Sequence, residues 1–152
     1  MKELDTLELS VCKIKSLSGC EELKKLQCLY LPYNRSLSDI SSLKEVKNSL
    51  KALRIDTCSR IKDFSVLREL ENLQLLELCG SNEVPDIYFI KKMKYLKTFV
   101  FNVLNGDLKP CLDLQYVAIE RCRRHYNVKE KDLPQGEYVR GNEDIELWRR
   151  FE

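Results

Sequence analysis

Hydrophobic and polar positions repeat along this chain with a period of a little over twenty residues. The stretch 50–58 shows the full unit, with leucine or isoleucine at 50, 53 and 55 and a cysteine at 58. Leu53 and Ile55 flank the polar Arg54, and this alternation predicts a short strand with one buried face. The unit begins six times, at steps of 18 to 24 residues, with Leu4, Leu26, Leu50, Leu73, Leu96 and Leu114.

One unit buries too little apolar surface to fold alone, so the units are expected to stack around a shared core. Four units close, three positions after the strand, on a small residue that can bond the backbone of a neighbouring coil. These closing residues are Cys12, Asn34, Cys58 and Cys122. The fifth unit departs from the pattern because Leu104 stands at its turn.

Between the strands, apolar residues at helical spacing predict short helices on the opposite side of the stack. Ser38 or Asp39 is expected to cap one helix, and Asp63 to cap the next. Pro85 stands at the start of a fourth helix, which is more apolar and which we expect to be longer. Pro110 is expected to interrupt any helix in the fifth unit.

The L-x-x-L-x-L-x-x-C/N units over residues 4–122 resemble the leucine-rich repeat superfamily. The Asp-Ile pair at 39–40 and the Asp-Phe pair at 63–64 are similar to its short-helix subtype, which has about 22 residues per repeat. The resemblance implies an α/β fold, a curved solenoid with a parallel concave β-sheet and short convex helices or 3-10 turns. It also implies binding to another protein.

The whole chain is expected to form one domain. Residues 1–122 make up the repeat array, and residues 123–152 form a C-terminal capping segment, which is too apolar for a disordered tail. Its final element is expected over 145–151, with Trp148 at least partly buried. The first repeat begins almost at Met1 without a capping segment, so this end is a candidate contact and the oligomeric state stays open.

Charge and cysteine content limit the classes of function. With 26 basic and 24 acidic residues the net charge is +2, which gives no reason to expect nucleic-acid binding. No apolar stretch resembles a signal peptide or a membrane span. Three of the seven cysteines share one repeat position, so Cys12, Cys58 and Cys122 are expected to be buried, reduced packing thiols. We therefore expect a cytoplasmic protein without membrane contact.

Catalytic or metal chemistry has few candidate residues. Cys122 and His125 have the C-x-x-H spacing of a zinc half-site or a thiolate–imidazole pair. A zinc site needs four ligands, and the sequence shows no second pair. We therefore predict no cofactor, no metal and no enzymatic activity, and an enzyme or metal protein using this pair is the least favoured alternative.

Strand positions that alternate with the core residues must face away from the core, and stacking joins them into one surface. This surface, here called the concave face, runs from Thr6 and Glu8 in the first unit to Tyr116, Ala118 and Glu120 in the sixth. Its tyrosine and arginine side chains are types that dominate interface hot spots. The residues predicted to bind a partner, on this face and its edge, are Tyr30, Tyr33, Arg54, Asp56, Glu77, Asn102, Tyr116, Glu120 and Arg121.

The function favoured by this surface is a non-enzymatic scaffold that engages a partner protein on the concave face. The short format, with an Arg-His-Tyr segment after the last repeat, is similar to small bacterial leucine-rich repeat proteins. Some of those are immunity or antitoxin-type partners. The alternative is a substrate-recognition or regulatory adaptor domain of a larger protein, for instance of a ubiquitin ligase or a phosphatase, which would use the same face.

Overall fold

A computed structural model of the chain describes residues 2–80 and 82–138. Within these ranges, six strands alternate with six short 3-10 segments. The strands are β1 (Thr6–Glu8), β2 (Cys28–Pro32), β3 (Ala52–Asp56), β4 (Leu75–Cys79), β5 (Thr98–Phe101) and β6 (Tyr116–Ile119). The 3-10 segments are η1 (Cys20–Glu22), η2 (Ser41–Val46), η3 (Ser65–Glu69), η4 (Tyr88–Lys92), η5 (Lys109–Cys111) and η6 (Glu130–Asp132). Trp148 and the element expected at 145–151 lie outside the described residues.

The strands form one parallel sheet in chain order, so each repeat adds its strand beside the previous one. Pairing joins equivalent positions of consecutive repeats, and Leu53 lies between Leu29 and Leu76. A shift of one residue would turn these leucines out of the core, so the repeat spacing itself specifies the register.

The core lies between the sheet and the 3-10 segments. In the third and fourth repeats the expected core residues are fully buried, and they are Leu53, Ile55, Leu76 and Leu78. The fifth repeat replaces the aliphatic pair with Phe99 and Phe101, whose rings stack with their centroids 4.2 Å apart. Both rings are fully buried, so the aromatic variant of the repeat keeps the core continuous.

Aspartate side chains begin the segments opposite the sheet, as predicted for Asp39 and Asp63. The Oδ1 atom of each accepts a hydrogen bond from the backbone N–H two residues later, Ser41 or Ser65, at 2.9 Å. Hydrogen bonding to the side chain of the same serine, and then this backbone bond, holds the pKa of each carboxyl group below its usual range. The same bond recurs from Tyr88 to Asp86 and from Lys109 to Asp107.

Two predictions about these segments are wrong. The fourth is not longer than the others, since η4 has five residues and η2 has six. Its extra apolar character reflects burial, because Ile87, Phe89 and Ile90 all pack into the core. Pro110 does not interrupt the fifth segment but lies inside η5, at its start, where the missing N–H removes no internal hydrogen bond.

Asparagine side chains tie the turns at the ends of the strands to the neighbouring coil. Asn34 Oδ1 accepts a hydrogen bond from the N–H of Cys12 at 2.8 Å, and Asn82 Oδ1 accepts one from Cys58 at 3.0 Å. In the fifth repeat Asn102 Oδ1 accepts a bond from the N–H of Arg121 at 3.2 Å. In the fifth repeat Leu104 occupies the expected closing position and cannot bond to the neighbouring coil through its side chain. Asn102 makes that bond instead.

The prediction of three buried closing thiols is wrong for two of them. Cys58 is fully buried, whereas Cys12 is half-buried and Cys122 is exposed. Cys58 has a repeat on each side, whereas Cys12 lies in the first described coil and Cys122 in the last, so each has a stacked repeat on one side only among residues 2–80 and 82–138. All seven cysteines lie within the described residues and are free thiols.

The segment after the last repeat packs on the sixth coil as far as it is described. Leu133 is buried in the core, with Tyr126 and Val128 packed against it. A single antiparallel bridge joins Gln135 to Tyr116 at the outer edge of β6. The boundary between array and capping segment at residue 122 stays a prediction. None of the described helices is long and apolar enough to cross a membrane.

At the opposite end the first coil is less well covered. Its core positions are only partly buried, although they pack against the main core, and they are Leu4, Leu7, Leu9 and Ile14. This incomplete burial agrees with the absence of a preceding coil among the described residues.

Candidate functional site

Three predicted binding residues stand side by side on the concave face. The strand register pairs Tyr30 with Arg54 and Arg54 with Glu77. Arg54 Nε donates a hydrogen bond to Glu77 Oε2 at 2.6 Å, and its guanidinium carbon lies 5.3 Å from the centre of the Tyr30 ring. Because these residues are 23 or 24 positions apart in sequence, only the stacking of repeats brings them together.

Tyr138, from the segment after the repeats, joins this group. Its hydroxyl donates a hydrogen bond to Glu77 Oε1. Its ring meets the ring of Tyr116 edge-to-face, with the centroids 5.3 Å apart and the planes at 77°. Glu77 therefore accepts hydrogen bonds from Arg54 on one oxygen and from Tyr138 on the other. The connected set, here called the concave cluster, consists of Tyr30, Arg54, Glu77, Tyr116 and Tyr138.

Beneath the concave cluster lies a small apolar floor. Cys28, Ala52 and Leu75 are buried there, and Tyr30 and Tyr138 pack against them. These three floor positions alternate with the main-core residues and belong to the concave face, yet they are buried, with Tyr30 and Tyr138 packed against them. Burial raises the pKa of the Cys28 thiol to about 11, so this thiol is protonated at neutral pH.

Charge burial distinguishes the concave cluster from an ordinary solvated strand surface. Glu77 is only 8% exposed, and buried carboxylates are rare unless they are paired. Arg54 and Tyr138 supply the partners that such a carboxylate needs. Burial, with a smaller contribution from Asp56, raises the pKa of Tyr30, so its phenol stays neutral over the physiological range.

A second group of predicted residues meets beyond the ends of β4, β5 and β6. Glu120 Oε2 accepts hydrogen bonds from Asn102 Nδ2 and from the N–H of Gly80, both at 2.9 Å. Asn102 also accepts the N–H of Arg121, and it is almost fully buried. Asn102 therefore joins coils together, while Glu120 and Arg121 remain exposed at the surface.

Tyr33 and Asp56 lie at the rim where the strands of the first coils end. Tyr33 is 51% exposed and Val11, in the preceding coil, is 71% exposed. Both have left-handed backbones, with φ of 56° and 53°, and Thr57 in the next coil has φ of 53°. Asp56 accepts a hydrogen bond from the Thr57 hydroxyl at 2.7 Å. The structure therefore places Tyr33 in a separate, rim position and does not bring it into the concave cluster.

Cys122 and His125 are both exposed. His125 Nε2 lies 3.0 Å from the Leu104 carbonyl oxygen, and its ring packs edge-to-face on Tyr126. Across residues 2–80 and 82–138, no group of three or more His, Cys, Asp or Glu side chains is placed to hold a metal ion.

Sequence reasoning missed Tyr138 as a member of this site. It belongs to the segment that was expected to cover the last coil, whereas its side chain reaches Glu77 on β4. The Pro-Gln-Gly stretch at 134–136 indicates a bend but carries no information on its direction. The repeat pattern ends before this segment, so no periodic signal assigned Tyr138 to either face.

Comparisons with known proteins bear on the fold. Neither a protein-family description nor a curated protein matches the sequence. Among solved structures, an internalin (inlF) from Listeria monocytogenes is similar over 91% of this chain, with a TM-score of 0.52 and 17% sequence identity. This chain spans 48% of the length of that internalin chain. With the six-stranded parallel sheet and the 3-10 segments, this likeness shows that the fold is a leucine-rich repeat solenoid, as the sequence predicted.

Proposed function

We propose that this protein is a non-enzymatic scaffold that binds a partner protein through its concave face. The observation that carries the proposal is the concave cluster, which gathers three tyrosines and an arginine on one surface. These side chains supply large, rigid contact area with polar ends, and such residues dominate interface hot spots. The leucine-rich repeat fold supports protein binding in general terms.

The charge pattern favours a protein partner over a polyanion. Arg54 lies among acidic neighbours on the same face, with Glu77 beside it and Asp56 two residues away. Mixed signs select a partner with a matching pattern, whereas a polyanion needs a continuous basic surface. We therefore propose a single specific partner, as an immunity or antitoxin-type protein of bacteria would have.

The proposed site of action is the cytoplasm. Seven free thiols support it, because secreted proteins with several cysteines generally oxidise them to disulfides. Burial raises the pKa of Cys79 and of Cys111 to about 12, which keeps these thiols protonated and slow to oxidise.

The second candidate is an adaptor domain of a larger protein. The half-buried Leu7 and Leu9 in the first coil favour it, because a further coil or another surface would complete their burial. Both candidates use the concave face, so the same experiment tests that face for either of them.

A photo-crosslinking amino acid at Tyr30, compared with one at Tyr95, tests the proposal. Tyr95 lies between η4 and β5, away from the concave face, and is 58% exposed. In lysate of the source cell we expect a specific protein adduct from position 30 and none from position 95. With that protein purified, Tyr30→Ala should weaken binding at least tenfold, or about 1.4 kcal/mol. Tyr95→Ala should leave affinity unchanged.

Thermal unfolding of both variants shows whether either substitution disturbs the fold. If Tyr95→Ala weakens binding and a folded Tyr30→Ala does not, the partner binds outside the concave face and the proposal is wrong.

A further inference from the structure

Tyr138 sits in the concave cluster as a ligand sits in a binding site. Its hydroxyl and its ring contact different parts of the sheet. The hydroxyl donates to Glu77 Oε1, the ring packs edge-to-face with Tyr116, and the side chain rests on the floor made by Cys28, Ala52 and Leu75. These floor residues come from three consecutive strands, so the repeat array builds the floor under this side chain.

We infer that the concave cluster is a tyrosine-binding site, which Tyr138 fills as an internal ligand and which a tyrosine of the partner protein occupies in the complex. The inference about the partner rests on the proposed function, whereas the binding of a phenol at this site does not.

The carboxylate of Glu77 gives the site its preference for tyrosine over phenylalanine. Arg54 donates to Oε2, and the Tyr138 hydroxyl donates to Oε1. A phenylalanine ring could cover the same floor but would leave a buried carboxylate oxygen without that donor. An unpaired buried acceptor is unfavourable, so a ligand with a hydroxyl is favoured over its hydrocarbon counterpart.

The attachment of the C-terminal segment allows Tyr138 to be exchanged. Backbone hydrogen bonds hold the segment to β6 before it reaches the concave cluster, from Val117 to the Pro134 carbonyl at 2.9 Å and from Gly136 to the Gln115 carbonyl at 3.0 Å. Leu133 anchors the same segment in the core. The Tyr138 side chain can therefore leave Glu77 while residues 133–136 keep their contacts.

The full-length Tyr138→Ala variant with small aromatic probes tests the site without any partner. The first probe is p-cresol, which is the tyrosine side chain as a free molecule, and the second is toluene, its phenylalanine counterpart. We expect p-cresol to bind the variant roughly fivefold more tightly than toluene and to bind the wild type much more weakly. Binding is followed by thermal shift and by chemical-shift changes. Equal binding of the two probes, or equal binding of p-cresol to the variant and the wild type, would overturn the inference.

Affinity for the partner found by crosslinking tests the second half of the inference. Removing the internal competitor should make Tyr138→Ala bind the partner at least fivefold more tightly, or about 1 kcal/mol. Tyr138→Phe should show a smaller gain, and it serves in place of the alanine variant if that chain does not fold. Weaker binding by both variants would show that Tyr138 is part of the contact surface and would contradict its displacement.

The two proposals can fail separately in these experiments. If the partner crosslinks away from Tyr30, the concave-face function is wrong, yet selective p-cresol binding would still establish the phenol site. If the partner binds at Tyr30 but p-cresol shows no selectivity, the tyrosine site is wrong and the scaffold function stands.

Discussion

Glycine at position 11 is expected to give a more stable protein than alanine, against the usual order of these residues. Val11 has a φ of 53° and is 71% exposed, so its side chain contributes little burial while its backbone is in the left-handed region. This region brings Cβ close to the carbonyl oxygen and is especially unfavourable for a β-branched residue. Glycine has no Cβ and adopts the same backbone freely.

The size of the effect follows from two opposing contributions. The left-handed conformation costs an L-residue about 1–2 kcal/mol. Glycine lowers the stability of the folded protein by about 0.5–1 kcal/mol relative to alanine, because it has more conformational freedom in the unfolded chain. Val11→Gly should therefore be about 0.5–1 kcal/mol more stable than Val11→Ala, a difference of about 1–4 °C in Tm for a domain of this size.

Urea unfolding of the wild type and of both variants measures this difference. Leu112 provides the matched control because it is exposed but has an ordinary φ of −69°. At position 112 alanine should be more stable than glycine. If alanine is also the more stable residue at position 11, the backbone there is not left-handed in solution and the reasoning is refuted.

Four further outcomes follow from burial and close contacts. Leu76→Ala should lower the free energy of unfolding by about 2–5 kcal/mol, since Leu76 is fully buried, and a loss well below 1 kcal/mol in urea unfolding would contradict the core register. Cys28, with a pKa raised from 9.0 to about 11, should react with a thiol reagent at pH 8 far more slowly than the exposed Cys122. The Cys28 thiol ionises at a lower pH in the unfolded chain than in the folded protein. The stability that the buried, protonated thiol contributes should therefore be complete below pH 9 and lost as the pH rises towards 11. In pH-dependent unfolding, a Cys28→Ala variant should not show this loss of stability. Gly80→Ala should lower the free energy of unfolding by more than about 1 kcal/mol in the same assay. Residue 80 has a φ of 70°, and the Cβ atom of an alanine there would lie 2.2 Å from Thr57 Oγ1. An unchanged unfolding midpoint would show that this turn relaxes.

Most of the fold could be predicted from the periodic spacing of apolar residues in the sequence. The spacing of Leu50, Leu53 and Ile55 specifies which face of the strand is buried, and its recurrence specifies that equivalent positions pair. The aspartates at 39 and 63 marked the starts of the convex segments because the hydrogen bond they accept is local. The predictions of the strands, of their register and of these two aspartate caps were therefore accurate.

Inside the array, the length of the fourth convex segment and the effect of Pro110 were predicted wrongly, and the other errors arose where the array ends. Burial of Cys12 and Cys122 depended on a coil beyond them, and repeat position alone does not show whether one is stacked there. Tyr30, Arg54 and Glu77 could be placed together from the repeat, since the register aligns them. Tyr138 could not, because the path of a non-repeating segment depends on tertiary packing that leaves no periodic trace.

Hydroxyl-radical footprinting of the free protein and of its complex with the crosslinked partner tests the central claim most directly. Tyrosines report on both sides of the solenoid, with Tyr30 on the concave face and Tyr88 and Tyr95 exposed on or beside η4. The account predicts that complex formation protects Tyr30 from oxidation and leaves Tyr88 and Tyr95 as reactive as before. Protection of Tyr88 and Tyr95 with no change at Tyr30 would contradict it, because the partner would then lie on the convex side.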